Sequence, residues 1–233
     1  MTGVLLLEPL SLWVAATNAW IVAPNGPGGE CIVVDAPPEP EPLLARLSEL
    51  ELRLVALITT HGHIDHVGGV GTVVRDPRGG GHAGDAFPVH IHDADRHMLV
   101  DLVAAGGMMA NYLEGVDTRP PELIEGLDDG TVVRGAGMEL RALHTPGHTQ
   151  GSVCLRLDVE DAPPLLFSGD HLFAGSIGRT DLPGGDFEQL MASMAEKILP
   201  LDDDVTVLPG HGPATTIGRE RRTNPFVLEL LSR

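Results

Sequence analysis

The side chains best suited to bind a metal ion are concentrated in one short segment, residues 59–69, which follows the apolar run 54–58. The candidate ligands in it are His61, His63, Asp65 and His66. Imidazole and carboxylate groups are borderline ligands that suit Zn, Fe or Mn. His61 and His63 are two residues apart and project to the same side of an extended or tightly turning chain. We therefore predict a metal site at the end of a strand, with a polar loop that holds chance histidines as the alternative.

Three more metal-capable residues follow short apolar runs later in the chain. The run 139–143 leads to His148, the run 165–167 leads to Asp170, and the run 205–208 leads to His211. Strand ends at one edge of a sheet are where α/β folds assemble sites, and the neighbouring glycines let loops converge. With the first segment this makes seven candidate ligands. Seven are enough for two ions if Asp170 bridges them and water completes the coordination.

The chain has six other histidines, at positions 82, 90, 92, 97, 144 and 171. Their spacing does not form a second convergent set. We expect most of them to be core residues, supports for neighbouring groups or surface residues.

The elements that must position the ligands are short strands and a few amphipathic helices. Apolar or alternating runs predict strands at residues 4–7, 12–16, 19–23, 31–35, 54–58, 89–92, 138–143, 152–158, 165–167 and 205–208. Helices are predicted at 40–50, after an aspartate cap at 93–95, at 187–199 and at 226–231. Residues 76–87, which include three glycines at 79–81, are expected to form a flexible loop.

No stretch of the sequence has the length or composition of a linker between domains. We therefore predict one domain over residues 1–233. So many short strands and amphipathic helices would be buried by two mixed sheets that face each other, with helices outside.

The composition argues against several classes of partner. The chain has 15 Lys and Arg against 33 Asp and Glu, a formal charge of -18, which would repel nucleic acid and anionic lipid. Residues 1–22 carry no basic residue or cleavage site of a signal peptide, and no apolar run reaches spanning length. We expect a cytoplasmic protein with no nucleic-acid or membrane partner, in which Cys31 and Cys154 are buried free thiols.

The combined motifs resemble the metallo-β-lactamase superfamily. They are HxHxDH at residues 61–66, PGHT at 146–149, GD at 169–170 and GHG at 210–212. The resemblance implies an α/β fold, the αββα sandwich of two mixed β-sheets flanked by helices, with two divalent metal ions. It assigns the first metal to His61, His63 and His148, the second to Asp65, His66 and His211, and the bridge to Asp170. Zinc is expected first, with iron or manganese as alternatives.

Residues 175–186 and 212–218 resemble the short glyoxalase II-like hydrolases. The longer glyoxalase II enzymes hold glutathione with basic residues of a C-terminal helical extension, and this sequence ends soon after the last candidate ligand. They also have a lysine where Arg179 stands. Glutathione as the carrier is therefore open. Arg179 is a candidate to bind a substrate carboxylate or thiolate, or a surface residue paired with Asp181 or Asp186.

The activity that this resemblance implies is hydrolysis of an S-acyl thiol, such as S-lactoylglutathione, to a carboxylate and a free thiol. Two divalent ions lower the pKa of a shared water to about 7. Asp65 is expected to be both a ligand and the residue that orients this nucleophile. A thiolate, with a reference pKa of about 8.5, can depart without an obligatory acid. The expected partner is a small-molecule thioester, and the oligomeric state is left open.

Other functions compete with this hypothesis. An iron persulfide dioxygenase would use mononuclear iron at His61, His63, His148 and a carboxylate, with room for oxygen. A non-enzymatic metal-dependent binding or sensing module would be expected to have lost ligands, and none is lost here. Hydrolysis of β-lactams and processing of nucleic acids are disfavoured, the first because an export signal is lacking and the second because of the charge and length.

Overall fold

Two six-stranded sheets form the body of the fold in the computed structural model, which describes residues 4–79 and 86–232. The strands are β1 Leu6–Leu12, β2 Thr17–Ala23, β3 Glu30–Val34, β4 Arg53–Ile58, β5 Val89–Ile91, β6 Ile124–Gly126, β7 Val132–Gly135, β8 Met138–His144, β9 Val153–Leu157, β10 Leu165–Gly169, β11 Leu172–Phe173, β12 Ser176–Ile177, β13 Thr206–Pro209 and β14 Thr215–Thr216. The α-helices are α1 Glu41–Glu49, α2 Ile64–Val67, α3 Val70–Arg75, α4 Arg96–Val100, α5 Leu102–Ala105, α6 Phe187–Ser193, α7 Ile217–Thr223 and α8 Pro225–Leu231. Two 3₁₀ segments, Pro77–Gly79 and Gly107–Leu113, and a π-turn, Met194–Ile198, complete the set for this part of the chain. Residues 80–85, which hold His82 and half of the loop predicted at 76–87, lie outside the described residues.

The strand order is β1-β2-β3-β4-β5-β6 in the first sheet and β14-β13-β10-β9-β8-β7 in the second. In the first sheet β3 to β6 are parallel, and β1 and β2 add antiparallel pairs. In the second sheet β10 and β13 are parallel and the other pairs are antiparallel. Both sheets are therefore mixed, as the sequence predicts. No described helix is long and apolar enough to cross a membrane.

Three hydrophobic clusters separate four layers. Successive side chains of a strand point to opposite faces, so a strand buried on both faces contributes to two clusters. In β2, Ile21 packs in the cluster under α1 and α3, whereas Trp20 and Val22 pack between the two sheets. A third cluster lies between the second sheet and α6 to α8. This layering is the predicted αββα sandwich.

Helix α1 shows how the sequence builds one outer layer. Its residues Leu43, Leu44 and Leu47 are fully buried at helical spacing, and each buried leucine stabilises the fold by about 1.5–3 kcal/mol. A proline in the first turn starts the helix, where its missing N–H is not needed. The helix delivers the chain to β4, which runs parallel to β3 and ends at Ile58, just before the segment 61–66.

Several elements differ from the prediction. The strand predicted at residues 12–16 is wrong: β1 ends at Leu12, which pairs with Thr17, so the four residues between them must reverse the chain. Trp13 and Ala16 accordingly have positive φ angles, 60° and 53°. The sequence does not predict the short helices α2, α3 and α5, because four to six residues give too little periodicity to detect, or α7, whose seven residues carry a single large apolar side chain, Ile217. Helix α4 begins after Asp95, but the Asp95 side chain does not cap it.

Candidate metal centre

The candidate ligands meet at one end of the sandwich. Strands β8, β10 and β13 run in the same direction because β9 lies antiparallel between β8 and β10. Their ends lead to His148, Asp170 and His211, while β4 of the other sheet leads to His61. The prediction that the ligands lie at one edge of a single sheet is therefore wrong: they come from the strand ends of two facing sheets. A backbone hydrogen bond joins the sheets here, from Val153 N to Thr60 O at 2.8 Å.

The first ligand group consists of His61, His63 and His148. The His63 Nδ1 atom lies 3.1 Å from His61 Nε2 and 2.9 Å from His148 Nε2, and those two Nε2 atoms are 3.2 Å apart. A tetrahedral ion with bonds of about 2.0–2.1 Å to nitrogen separates its ligands by roughly 3.3 Å. The three nitrogens thus have the spacing of one face of a tetrahedral site.

The second ligand group consists of Asp65, His66 and His211. Asp65 Oδ2 lies 3.5 Å from His66 Nε2 and 3.2 Å from His211 Nε2. Asp170 lies between the two groups: Oδ1 is 3.3 Å from His66 Nε2, and Oδ2 is 3.4 Å from His211 Nε2 and 3.6 Å from His148 Nε2. All seven predicted residues fall into overlapping sets of three whose ligand atoms lie within 4.8 Å of one another.

Two buried atoms of this cluster, His66 Nε2 and Asp170 Oδ1, have no hydrogen-bond partner. Leaving such groups unpaired inside a protein is costly, and a metal ion between them would satisfy both. Gly210 permits the close approach, since a Cβ atom at this position would overlap Asp170 Oδ1 and the His66 ring. The donor types, the spacing and the unpaired atoms therefore fit a pair of divalent ions.

The second ring nitrogen of three ligand histidines has an acceptor or a hydroxyl beside it. His148 Nδ1 lies 2.7 Å from the carbonyl oxygen of Arg179, and His211 Nδ1 lies 3.2 Å from that of Ala15. His61 Nδ1 lies 3.1 Å from Thr60 Oγ1. A carbonyl oxygen can only accept, so Nδ1 of His148 and His211 carries a proton and Nε2 is the nitrogen that a metal ion would bind.

Asp35 supports His66 and was missed by the sequence analysis. Its carboxylate is buried and accepts hydrogen bonds from Thr60 N at 2.7 Å, from Thr60 Oγ1 at 2.8 Å and from His66 Nδ1 at 2.8 Å. Asp35 directly follows β3, so the signal was present: it ends an apolar run in the same way as the candidate ligands do.

Asp95 joins the loops of the first ligand group. It is buried and accepts hydrogen bonds from Gly62 N at 2.9 Å, from Gly151 N at 2.8 Å and from Thr149 Oγ1 at 2.6 Å. Gly62 separates His61 from His63, and the other two donors lie just after His148. The sequence predicts Asp95 only as part of a helix cap, and no local signal shows this second role.

Electrostatics differ between the two ligand groups. Burial lowers the pKa of His61, and burial with the nearby His148 lowers the pKa of His63 to about 4. Burial opposes charge on His66 and His211, but the surrounding aspartates outweigh it: they raise the pKa of His66 and raise the pKa of His211 to about 9. Without metal, the imidazoles of His61 and His63 are therefore neutral at pH 7, whereas those of His66 and His211 are protonated and positively charged.

The carboxylates follow the same balance. Burial alone would raise the pKa of Asp65 and of Asp170. The neighbouring His66, together with His211, outweighs burial and holds both pKa values well below their usual range. Asp65 also accepts a hydrogen bond from Thr17 Oγ1 at 3.0 Å, which fixes its orientation. Both carboxylates are therefore ionised and available as ligands.

The side chain of Arg179 is paired with Asp181, as in the alternative interpretation of this residue. Its Nε and Nη2 atoms donate to Asp181 Oδ1 and Oδ2, both at 2.7 Å. The guanidinium is largely exposed, and the Arg179 backbone carbonyl makes the contact with His148. Contact between Arg179 and substrate stays a prediction.

The remaining described histidines lie outside the three metal-binding sets. His92 and His144 stack on each other, with ring centroids 4.0 Å apart. Burial lowers the pKa of His171 to about 3. These placements agree with a structural role for them.

Comparisons with known proteins give a consistent result. Residues 12–211 match the family described as the Metallo-beta-lactamase superfamily. Hydroxyacylglutathione hydrolase GloC of Haemophilus influenzae is 35% identical over 219 residues, which cover 93% of this chain and 90% of GloC. The crystal structure of BLEG-1 B3 metallo-beta-lactamase is similar with a TM-score of 0.79 and 35% identity, over 95% of this chain and 99% of that one. The structure of TTHA1623 in a di-iron-bound form is similar with a TM-score of 0.74 and 37% identity, over 94% and 99%.

Proposed function

The chain belongs to the metallo-beta-lactamase superfamily, and from this premise we propose that it is a metal-dependent hydrolase of thioesters. Its substrate is an S-acyl thiol such as S-lactoylglutathione. Water is consumed: the C–S bond breaks, a C–O bond forms, and the products are a carboxylic acid and a free thiol. The observation that carries the proposal is that all seven candidate ligands converge in overlapping sets of three. The 35% identity to GloC, a hydroxyacylglutathione hydrolase, supports the choice of thioesters.

We propose that His61, His63 and His148 would hold one divalent ion, that Asp65, His66 and His211 would hold a second, and that Asp170, whose carboxylate lies between the two groups, would serve as a ligand in both. When bound, such ions act as Lewis acids and lower the pKa of a bound water to about 7. The protein's part is to present ligands and to orient the attacking water. Asp65 suits this second task because it is ionised and its Oδ2 is fixed by Thr17.

A nucleophilic side chain is not needed for this reaction, and the cysteines are poor candidates for one. Cys31 and Cys154 are both free and buried. Burial raises the pKa of each thiol to about 12, so the reactive thiolate is scarce at neutral pH. A thioester also needs no strong general acid, because its thiol leaving group has a reference pKa of about 8.5.

Elemental analysis tests the metal content. We expect about two transition-metal ions per chain, zinc first. Iron is the alternative, since the similar TTHA1623 has a di-iron-bound form. A single tightly held iron, together with oxygen uptake on glutathione persulfide, would replace the hydrolase proposal by the persulfide dioxygenase.

A thioester panel tests the reaction itself. Metal-loaded protein should release thiol from S-lactoylglutathione or another acyl thiol, and Asp170→Asn should lower kcat/KM by at least about 100-fold, because even residues that only support metal ligands cost roughly 10–100-fold. Asp158→Asn is the matched control: this aspartate is exposed and pairs with Arg156 at the far end of β9 from the ligands. Absence of thiol release from every member of the panel would end the proposal.

A second candidate is hydrolysis of β-lactams, which the likeness to BLEG-1 favours. It uses the same ligands and the same water. A chromogenic cephalosporin added to the panel tests this candidate. Turnover of the cephalosporin faster than that of every thioester would make β-lactam hydrolysis the main activity, and no turnover would exclude it.

A further inference from the structure

Aromatic side chains are rare in this chain, and three of the eight belong to segments beside the second ligand group. The sequence has 2 Trp, 1 Tyr and 5 Phe. The rings of Trp13 and Tyr112 meet edge to face with centroids 5.9 Å apart, and the centroids of the Phe173 and His211 rings are 6.0 Å apart. We call Trp13, Tyr112 and Phe173 the aromatic rim. The second ligand group is thus bordered by apolar surface.

The turn that carries Trp13 is tied directly to the second ligand group. Ala15 O lies 3.2 Å from His211 Nδ1, and Thr17 Oγ1 donates to Asp65 Oδ2 at 3.0 Å. Tyr112 reaches the same side from the 3₁₀ segment Gly107–Leu113, whose preceding glycine packs against Ile64, the neighbour of Asp65. The turn and the 3₁₀ segment are therefore both anchored beside the second ligand group, and Trp13 and Tyr112 extend from them to meet each other.

The conformation and exposure of these residues are not explained by stability. Trp13 has φ of 60°, in the left-handed region where Gly or Asn would be less strained. Trp13 itself is only half-buried, and its neighbour Val14 and its partner Tyr112 are 68% and 54% exposed, so burial offsets little of the strain of the turn. Strain and exposed apolar surface together are features of binding sites.

Charge at the site does not favour a strongly anionic carrier. The candidate cation Arg179 is held by Asp181 through two hydrogen bonds of 2.7 Å. The chain as a whole has a formal charge of -18, which repels anions at long range. An uncharged substrate neither needs the Arg179 cation nor is repelled by the negative charge of the chain.

Resting on the proposed function, we infer that the substrate is a thioester that carries an uncharged apolar group, aryl or branched alkyl, and that this group packs against Trp13 and Tyr112. The rim then discriminates by apolar contact, and a charged glutathione moiety is not required for binding.

The first test measures binding without hydrolysis. The chain has two tryptophans, and Trp20 is buried against Phe167, so the partly exposed Trp13 is the reporter. S-benzyl-N-acetylcysteamine, a thioether that cannot be hydrolysed, should quench the fluorescence saturably, and Trp13→Phe should lose most of the signal. S-carboxymethyl-N-acetylcysteamine, in which a carboxymethyl group replaces the benzyl group, should bind at least about tenfold more weakly, since it offers no ring for aromatic contact. No saturable quenching, or equal binding of the two thioethers, would overturn the inference.

The second test compares variants on two N-acetylcysteamine thioesters. Trp13→Asn keeps a residue that tolerates the left-handed conformation and removes the ring. We expect the ratio of kcat/KM for the phenylacetyl thioester to kcat/KM for the acetyl thioester to fall roughly tenfold in Trp13→Asn and in Tyr112→Ser, because only the phenylacetyl group offers a ring for aromatic contact. Val4→Asn is the control, because Val4 is 85% exposed and precedes the start of β1, whereas Trp13 follows its end. Equal losses on both thioesters would overturn the inference.

The two tests separate this inference from the proposed function. If the metal-loaded protein hydrolyses no thioester, the proposed function fails, and the fluorescence titration still decides whether the rim binds an apolar group. If thioesters are hydrolysed without preference for an apolar group, and Trp13→Asn changes neither binding nor kcat/KM, the inference alone fails.

Discussion

Two buried aspartates outside the predicted ligand set, Asp35 and Asp95, connect the ligands to the rest of the fold. Each accepts three hydrogen bonds from other segments of the chain. Backbone amides, threonine hydroxyls and one imidazole supply these donors. Both aspartates therefore act by fixing ligand positions, and a metal centre depends on such supports as well as on its ligands.

Replacement of Asp95 by Asn tests this role. An amide offers one acceptor oxygen, so either Gly62 N–H or Gly151 N–H would lose its acceptor and face an NH₂ group. We expect metal affinity to fall roughly 10–100-fold and stability to fall by about 1–3 kcal/mol. A competition titration with a chromophoric chelator measures the affinity.

Asp101→Asn is the control for that experiment. Asp101 also accepts a backbone hydrogen bond, from Ala104 N at 3.0 Å, but it does so at the exposed start of α5. Its replacement should leave the metal affinity unchanged. Equal affinities for the Asp95 variant and the wild type would show that the contact does not position the first ligand group.

The two ligand groups should respond differently to pH. Burial and His148 hold the pKa of His63 at about 4, so above about pH 5 its proton does not compete with metal. Despite burial, Asp170 and Asp65 hold the pKa of His211 at about 9, so a proton must leave before this residue can bind an ion. Affinity at the second group should therefore rise with pH from 6 to about 9, with proton release on binding.

Calorimetric titration of metal-free protein in two buffers of different ionisation enthalpy measures the released protons. The first ion should release few and the second should release more. Equal release for both ions, or a pH-independent second affinity, would contradict the electrostatic difference between the groups.

At the scale of elements, the β11–β12 hairpin links the C-terminal helices to the first ligand group. Glu220 of α7 is fully buried and accepts hydrogen bonds from Gly175 N at 2.7 Å, from Thr215 Oγ1 at 2.6 Å and from Asn224 Nδ2 at 3.0 Å. Gly175 lies in the turn of this hairpin, and the chain after it reaches Arg179, whose carbonyl contacts His148.

Glu220→Gln should therefore destabilise the fold. The amide nitrogen cannot accept, so either Gly175 N and Asn224 Nδ2 lose the oxygen that they share, or the Thr215 hydroxyl must reverse its hydrogen bond, and we expect a cost of about 1–3 kcal/mol. For a chain of this size, thermal unfolding should shift down by roughly 2–4 °C per kcal/mol. Differential scanning calorimetry measures the shift.

Glu139→Gln is the matched substitution on the surface. Glu139 pairs with Arg134 at 2.9 Å, and both side chains are mostly exposed, so the pair contributes only about 0–1 kcal/mol. Its variant should unfold near the wild-type temperature. If both variants behaved alike, the buried network around α7 would not contribute as argued.

At the scale of the whole molecule, bound metal should stabilise the fold. Ions that bind the native state and not the unfolded chain add about 2.7 kcal/mol at a free concentration 100 times Kd. The midpoint of thermal unfolding should then rise by roughly 5–10 °C on loading. The ligands come from both sheets, so this stabilisation acts across the sandwich.

Thermal unfolding with and without a chelator measures this effect. Asp170→Asn supplies the control, since a variant that does not hold ions should unfold at the same temperature in both conditions. An unchanged midpoint for the wild type on chelation would argue against metal held jointly by the two sheets.

The sequence by itself determined the donor set and the class of fold. Ligand type and spacing are local properties, so residues 61–66 indicate a metal site before any folding is known. Alternating apolar runs likewise predict strands, since the period of two is set by the backbone alone. Helix α2 escaped prediction because its four residues hold little more than one turn of pattern, and α7 because Ile217 is its single large apolar residue.

Only the tertiary structure decided how these parts face one another. His63 and His148 are 85 positions apart, yet their ring nitrogens lie 2.9 Å from each other. The pairing of Arg179 with Asp181 and the meeting of Trp13 with Tyr112 also depend on how loops pack. The physical reason is that burial of the sheet faces brings distant loops together, and no local pattern encodes which loops will meet.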